Sequence, residues 1–228
     1  MSFNWTQLIP AVGPENVHVA TLGLATAGSV VVGLIARAQL GKGQDSVVPH
    51  GRLSVRGLIE AITDMIATLA KQIIGPDGHH YVPLMASFFF FILLNNLIGV
   101  IPGMSSANEN LNTTVAFGIF SFLAYNYVGL KHGGLHYLKH FLGPVWWLIP
   151  LMLPLEIISH LIRPMTLGMR LANVMKGDHT VIGIVLDIVP FIVPIALYIL
   201  GLLVCLIQAY VFTLLSMVYV SLAKASDH

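Results

Sequence analysis

Arg170 stands in a place where a charge is costly. It belongs to the stretch Glu156-Ile-Ile-Ser-His-Leu-Ile-Arg163-Pro-Met-Thr-Leu-Gly-Met-Arg170-Leu-Ala-Asn-Val-Met-Lys-Gly-Asp-His179, between apolar runs over residues 145–155 and 181–217. A charged side chain at membrane depth costs about 2.5–3.5 kcal/mol on insertion scales, so an ionisable residue there marks a candidate functional site. The guanidinium stays protonated at any physiological pH. It is poorly suited to carrying protons and well suited to attracting or repelling charge at a fixed point. Glu156, Arg163 and Arg170 recur at intervals of seven. Seven helical steps drift only about 20° from one face, so on a helix the three form a stripe. Pro164 complicates the stripe, because it removes a backbone bond and predicts a bend near His160. Ser159, His160, Asn173, Asp178 and His179 surround Arg170 with titratable and hydrogen-bonding groups. Such groups can hold a water wire that relays protons. Two plainer readings stand beside this one. An arginine near a helix end can snorkel to the interface, and Asp178 and His179 can lie in an aqueous loop after Gly177.

Other polar groups fall on helical spacings. Gln208 and Tyr219 are 11 apart, which returns them to nearly one face, and Gly201 lies seven before Gln208. That stripe suits a polar lining, or equally an ordinary interhelical hydrogen bond. His132, His136 and His140 have metal-ligand spacing, but no cysteine or carboxylate joins them, and one polar face of a short helix explains them better. Asn108, Glu109, Asn110 and Asn112 make either an outer vestibule or a plain polar loop. Phosphate-binding loops, nucleophile elbows and dinucleotide fingerprints are all missing from the sequence. The chain therefore reads as a non-enzyme with no cofactor and no metal.

Composition sets the class. Hydrophobic residues make up 56% of the 228 positions and charged residues 9%, where a soluble domain carries about 25%. The expected fold is an all-α polytopic membrane protein. A net charge of +1 argues against nucleic acid as a partner. The single Cys205 excludes a disulfide framework. The first ten residues show neither a signal peptide nor a transit peptide.

The elements that would position these groups form a single membrane domain over residues 1–228. Residues 17–36 form a first span, with Gly23, Ala27, Gly28 and Gly33 suited to close packing against a neighbour. Arg37, Lys42, Arg52 and Arg56 follow it, which predicts an outward N-terminus. Residues 53–74 alternate with a 3.6 period and predict an amphipathic interfacial helix. Residues 81–130 form a helical hairpin across the polar, lysine- and arginine-free segment 104–114, the second helix capped at Asn112, Thr113 or Thr114. Lys131 to His140 is a basic, cytoplasmic segment. The remainder, 141–223, is broken by Pro144, Pro150, Pro154, Pro190 and Pro194. Its last part fits two simple spans, or two long antiparallel helices, tilted and meeting at the prolines. Five or six membrane helices result, with the C-terminus cytoplasmic and the whole suited to a bacterial inner membrane.

Several stretches resemble the a subunit of the membrane sector of F-type ATP synthases. They are Arg163 to Leu171 with Gly177-Asp-His179, Leu206-Ile-Gln-Ala-Tyr onward to Leu222, Asn95-Asn96-Leu-Ile-Gly-Val-Ile-Pro102, and Asn110-Leu-Asn-Thr-Thr114. The resemblance covers residues 58–223. It implies a stator that forms two proton half-channels against a rotating ring of c subunits and is tied to a b-subunit peripheral stalk. Arg170 resembles the essential arginine, and Gln208 its partner on the neighbouring helix. Glu156, Asn173, His179 and Asn110 resemble half-channel positions, with Asp178 beside them and Tyr219 near the end of the final helix. Two departures stand out. The family places an asparagine four after the arginine, where this chain has Val174 and carries Asn173 one residue earlier. Some members titrate at the position of Gly201, which leaves Asp178, His179 or Glu156 to serve alone. A haem-bearing respiratory subunit and a secondary ion transporter are the rival classes. The first is raised by ten histidines, yet only His160 and His18 lie near apolar runs. The second lacks a visible inverted repeat.

Overall fold

A computed structural model describes residues 16–39, 55–140, 149–189 and 192–225. Six α-helices make up almost all of them: α1 (Val17–Gln39), α2 (Val55–Ile74), α3 (Val82–Val100), α4 (Leu111–His140), α5 (Ile149–Ile188) and α6 (Ile192–Ala225). Short 3₁₀ turns at Pro76–Tyr81 and Ala107–Glu109 lead into α3 and α4.

Each helix follows from its side-chain pattern. α2 buries Ile66, Ala70 and Ile74 at four-residue intervals and leaves Leu58 exposed on its other side. This is the expected amphipathic helix, pinned by the Arg56 Nε to Glu60 Oε1 bond of 2.6 Å one turn apart. α3 is apolar on every side, as a helix between lipid and protein must be. It ends at Pro102-Gly103, where Gly103 takes a φ of 81° that side chains resist. Among the described residues four helices, α1, α3, α4 and α6, contain segments long and apolar enough to cross a membrane. Ile195, Ile199, Leu202 and Leu203 on α6 lie exposed, the arrangement a lipid-facing helix requires.

Met85, Phe88, Phe89 and Ile92 of α3, Tyr125 of α4, Leu167 and Leu171 of α5, and Phe212 and Met217 of α6 form the core with the buried face of α2. Polar ties cross it. Ser121 and Ser216 join α4 to α6 at 2.9 Å, and Ser221 Oγ donates to the Ile73 carbonyl at 2.7 Å. Lys224 pairs with Asp77, fastening the end of α6 to the turn before α3. Thus the ends of α2 and α6 and the start of α3 share one side of the molecule.

The helices sharpen several expectations. α5 runs unbroken for 40 residues through Pro154 and Pro164. Asp178 and His179 therefore belong to a helix, not to a loop. α4 continues as helix to His140, through the basic segment 131–140. The cap of α4 is Asn110 rather than a later residue, since its Oδ1 accepts from the Asn112 N–H at 2.9 Å. On α1 the buried residues are Thr21 and Ala25, while Gly23, Gly28 and Gly33 face open space. The side chains of His132, His136 and His140 lie outside the described residues.

Candidate functional site

Two glycine seats set α5 against α4. A Cβ on Gly118 would lie 2.2 Å from the Pro164 carbonyl oxygen, and one on Gly168 would lie 2.7 Å from that of Thr114. Backbone meets backbone at both crossings, so neither position tolerates a side chain without moving a helix. This contact, with buried Leu167, Leu171 and Met175, consumes one face of α5. Arg170 and Asn173 are left exposed, with Met165 and Met169 exposed close by. Among the described residues Arg170 has no acidic partner.

The register of α5 on α6 follows from another close approach. Asp178 Oδ2 lies 2.5 Å from where a Cβ on Gly201 would stand. The helices are antiparallel, joined across residues 189–191. Eight residues back along α5 and eight forward along α6, about 12 Å in each case, Arg170 stands level with Ala209 and Gln208. Gln208 is buried, with 6% of its surface exposed. The arginine and the glutamine thus share one level of the helix pair.

Polar clusters sit at both ends of this arrangement. At one end His179 Nε2 donates to the Gly99 carbonyl at 2.7 Å, and its Nδ1 lies 2.8 Å from Glu109 Oε1. Glu109 is held by a capping box. Its Oε1 accepts from the Ser106 N–H at 2.9 Å, and Ser106 Oγ accepts from the Asn108 N–H at 3.2 Å. Behind it Asn95 Nδ2 donates to Asn108 Oδ1 and Asn108 Nδ2 to Asn96 Oδ1, all three residues being fully buried. Asn110 lies next to this network, its side-chain oxygen already committed to the α4 cap.

At the opposite end His160, on α5, is buried between α4 side chains. Its Nε2 meets Asn126 Oδ1 at 2.9 Å, and Phe122 and Tyr125 lie edge-on with centroids 5.0 and 5.4 Å away. Asn126 Nδ2 donates to the Phe122 carbonyl, so its oxygen is the acceptor and His160 Nε2 the donor. The Arg163 guanidinium lies over the Tyr219 ring at 5.8 Å, and Tyr219 in turn meets Tyr125. Arg163 is therefore engaged by α6, while Arg170 is not. His160 and His179 are 10 and 9 residues from Arg170. Those spacings are about 15 and 13 Å of helix. Glu156 lies one turn before His160 on α5, and its side chain is outside the described residues.

The structure therefore sets Arg170 level with Gln208, and brings together Asp178 with Gly201 and His179 with a residue whose partnership is not visible locally, Glu109. A signal for Glu109 does exist in the sequence. Ser106-Ala-Asn-Glu109 has the Ser-x-x-Glu form of a capping box ahead of a helix. Asn173 points into the open beside Arg170. Tyr219 belongs to the His160 end rather than to the level of Gln208.

Long apolar helices, an outward-facing arginine and polar clusters at either end of its helix define a polytopic helical membrane protein with a charged site on its flank. The chain belongs to the family described as ATP synthase A chain, which it matches over residues 19–221. It is thus an Fo-sector subunit of F-type ATP synthase. It is 58% identical to ATP synthase subunit a of Bdellovibrio bacteriovorus over the whole of both chains. It is 42% identical to that of Trichlorobacter lovleyi, over 87% of this chain and 83% of the relative. With the subunit of Geobacter sulfurreducens it shares 39% identity over 94% and 93% of the two chains. With such bacterial relatives and its apolar helices, the chain is a multi-pass protein of the bacterial inner membrane.

Proposed function

We propose that this chain is the static half of a rotary proton motor, with Arg170 as the barrier between two half-channels. The exposed arginine on an apolar flank, without an acidic partner among the described residues, carries the reading. A fixed cation so placed is complementary to an acid on a neighbouring chain. That chain belongs to the ring of c subunits. A proton entering by one half-channel neutralises a ring carboxylate, which then turns through lipid where a bare carboxylate would be costly. It is released into the other half-channel after nearly a full turn. Arg170 attracts the ionised carboxylate and keeps protons from leaking directly between the channels. Each charge crossing yields about 2.3 kcal/mol per 100 mV. ATP is formed in the soluble sector, and this chain does no covalent chemistry.

Gln208, buried on α6 at the level of Arg170, backs the site from within the helix pair. His179 and Asp178 serve the half-channel at the 101–110 loop, whose last residue, Asn110, caps α4. Glu156 serves the other, where Tyr219 borders the His160 end, and Asn173 lines the flank near Arg170. The N-terminus lies outside and the C-terminus in the cytoplasm. The grouping of Lys71, Lys131 and Lys224 at one side of the bundle supports that orientation. A b-subunit stalk holds the chain against rotation.

The test is Arg170→Ala in the complete complex. ATP-driven proton pumping and ATP synthesis are both lost, while ATP hydrolysis by the detached soluble sector persists. Retained coupled pumping overturns the reading. Arg163→Ala, which loses a ring contact of about 0.5–1 kcal/mol, keeps most of the coupled activity. An equal loss in both variants would mean that the barrier charge is not confined to Arg170.

A further inference from the structure

Glu109 and His179 form a cross-helix pair that nothing in the local sequence announces. They are 70 residues apart. Each is partly open to solvent, with side-chain exposures of 26% and 28%. Both histidine nitrogens are committed. A carbonyl can only accept, so Nε2 carries a hydrogen toward Gly99. Nδ1 then faces Glu109 Oε1 with a single proton to share between nitrogen and oxygen. Oε1 also accepts the Ser106 N–H, so the carboxylate is held in place whether or not the proton is present. When that proton leaves, two lone pairs confront each other at 2.8 Å. The pair therefore loads and unloads as one unit.

We propose that Glu109 and His179 together are the proton-loading station of the half-channel at the 101–110 loop, with Glu109 as the residue that completes it. The proposal deepens, and rests on, the half-channel reading given above. A proton from the water at this side binds between Nδ1 and Oε1 and passes by water to Asp178, whose carboxylate is turned toward α6 at Gly201. From there it reaches the ring carboxylate beside Arg170. The imidazole does not pass protons through itself, because Nε2 is tied to the Gly99 carbonyl. Exchange at the Nδ1 and Glu109 edge is the open route. The charged groups acting on His179 are Glu109 from the turn and Asp178 from its own helix. α3 contributes only a carbonyl, and α6 presents Gly201 there. The buried Asn95, Asn96, Asn108 and Ser106 network is the scaffold that fixes the turn and thus the carboxylate.

The experiment is ATP synthesis by the complete complex in liposomes, driven by acid–base transition at a constant potassium diffusion potential. The pH on the acid side is varied, and the product side is held constant. In Glu109→Gln the amide keeps the shape but cannot share the proton. The acid-side proton concentration for half-maximal rate rises at least tenfold, about one pH unit. A wild-type profile, or one merely scaled down at every pH, overturns the proposal and leaves Glu109 a strut. Should the glutamine variant fail to assemble, Glu109→Asp decides. It withdraws the carboxylate by one methylene; a shift in the same direction supports the proposal and an unmoved profile overturns it. Arg170→Ala in the same preparation separates the two levels. If that variant stays coupled, the half-channel reading itself fails. If it is uncoupled while Glu109→Gln keeps the wild-type profile, only the role of Glu109 falls.

Discussion

The carboxylate of Asp178 occupies the space in which a side chain at Gly201 would begin, with Oδ2 2.5 Å from the position of that absent Cβ. A titratable group on α5 thus stands in the space that a side chain at Gly201 on α6 would take. The absence of a titratable residue at position 201 does not empty the site. It lets a carboxylate from the facing helix fill the gap, on the flank that carries Arg170.

Gly201→Ala should displace that carboxylate without unfolding the protein. The atom it meets is the free end of a side chain, which can rotate away. The expected outcome is normal amounts of assembled complex with reduced ATP-driven proton pumping. Quantifying the subunit in membranes alongside pumping checks this. Loss of the subunit itself would show that the contact is rigid.

Gly118→Ala and Gly168→Ala should behave differently, because the obstacle at both is backbone. The Pro164 and Thr114 carbonyls cannot turn aside without shifting a helix. Overpacking of this kind costs about 1–3 kcal/mol or more. Each variant should lower the thermal midpoint of the purified complex, Gly118→Ala more so, since its approach of 2.2 Å is the closer. An unchanged midpoint in both would contradict the α4–α5 packing.

Asn110→Ala should act on stability and not on the proton path. Its side chain caps α4, a role worth about 0.5–2 kcal/mol. Asn110→Asp and Asn110→Ser, which also cap, should restore the loss. The acid-side pH profile of ATP synthesis should stay where it is in all three. A moved profile in Asn110→Ser would return this residue to the half-channel lining.

Much of the architecture was legible because hydropathy and helical period are local properties. The amphipathic face of α2, the apolar spans and the isolation of Arg170 among apolar neighbours follow from residues within a few turns of each other. The prolines misled for a physical reason. Pro154 and Pro164 each remove one backbone bond, but α5 is 40 residues long and is held by α4 and α6 on either side of them. Packing outweighed the lost bonds, and the same helix carries on through the polar stretch 176–179 that by itself suits a loop.

The sequence by itself determined the class of the protein and the presence of an arginine, Arg170, among apolar runs. Those depend on the transfer of single residues and short segments between water and lipid. Only the tertiary structure decided which polar groups meet. The partners of His179, Asp178 and His160 are Glu109, Gly201 and Asn126, on other elements of the chain. Their meeting depends on the register of α5 against α4, set by backbone contacts at Gly118 and Gly168, and against α6, where Asp178 meets Gly201. Helical spacing constrains which residues share a face, but it carries no information about the height at which one helix stands against the next.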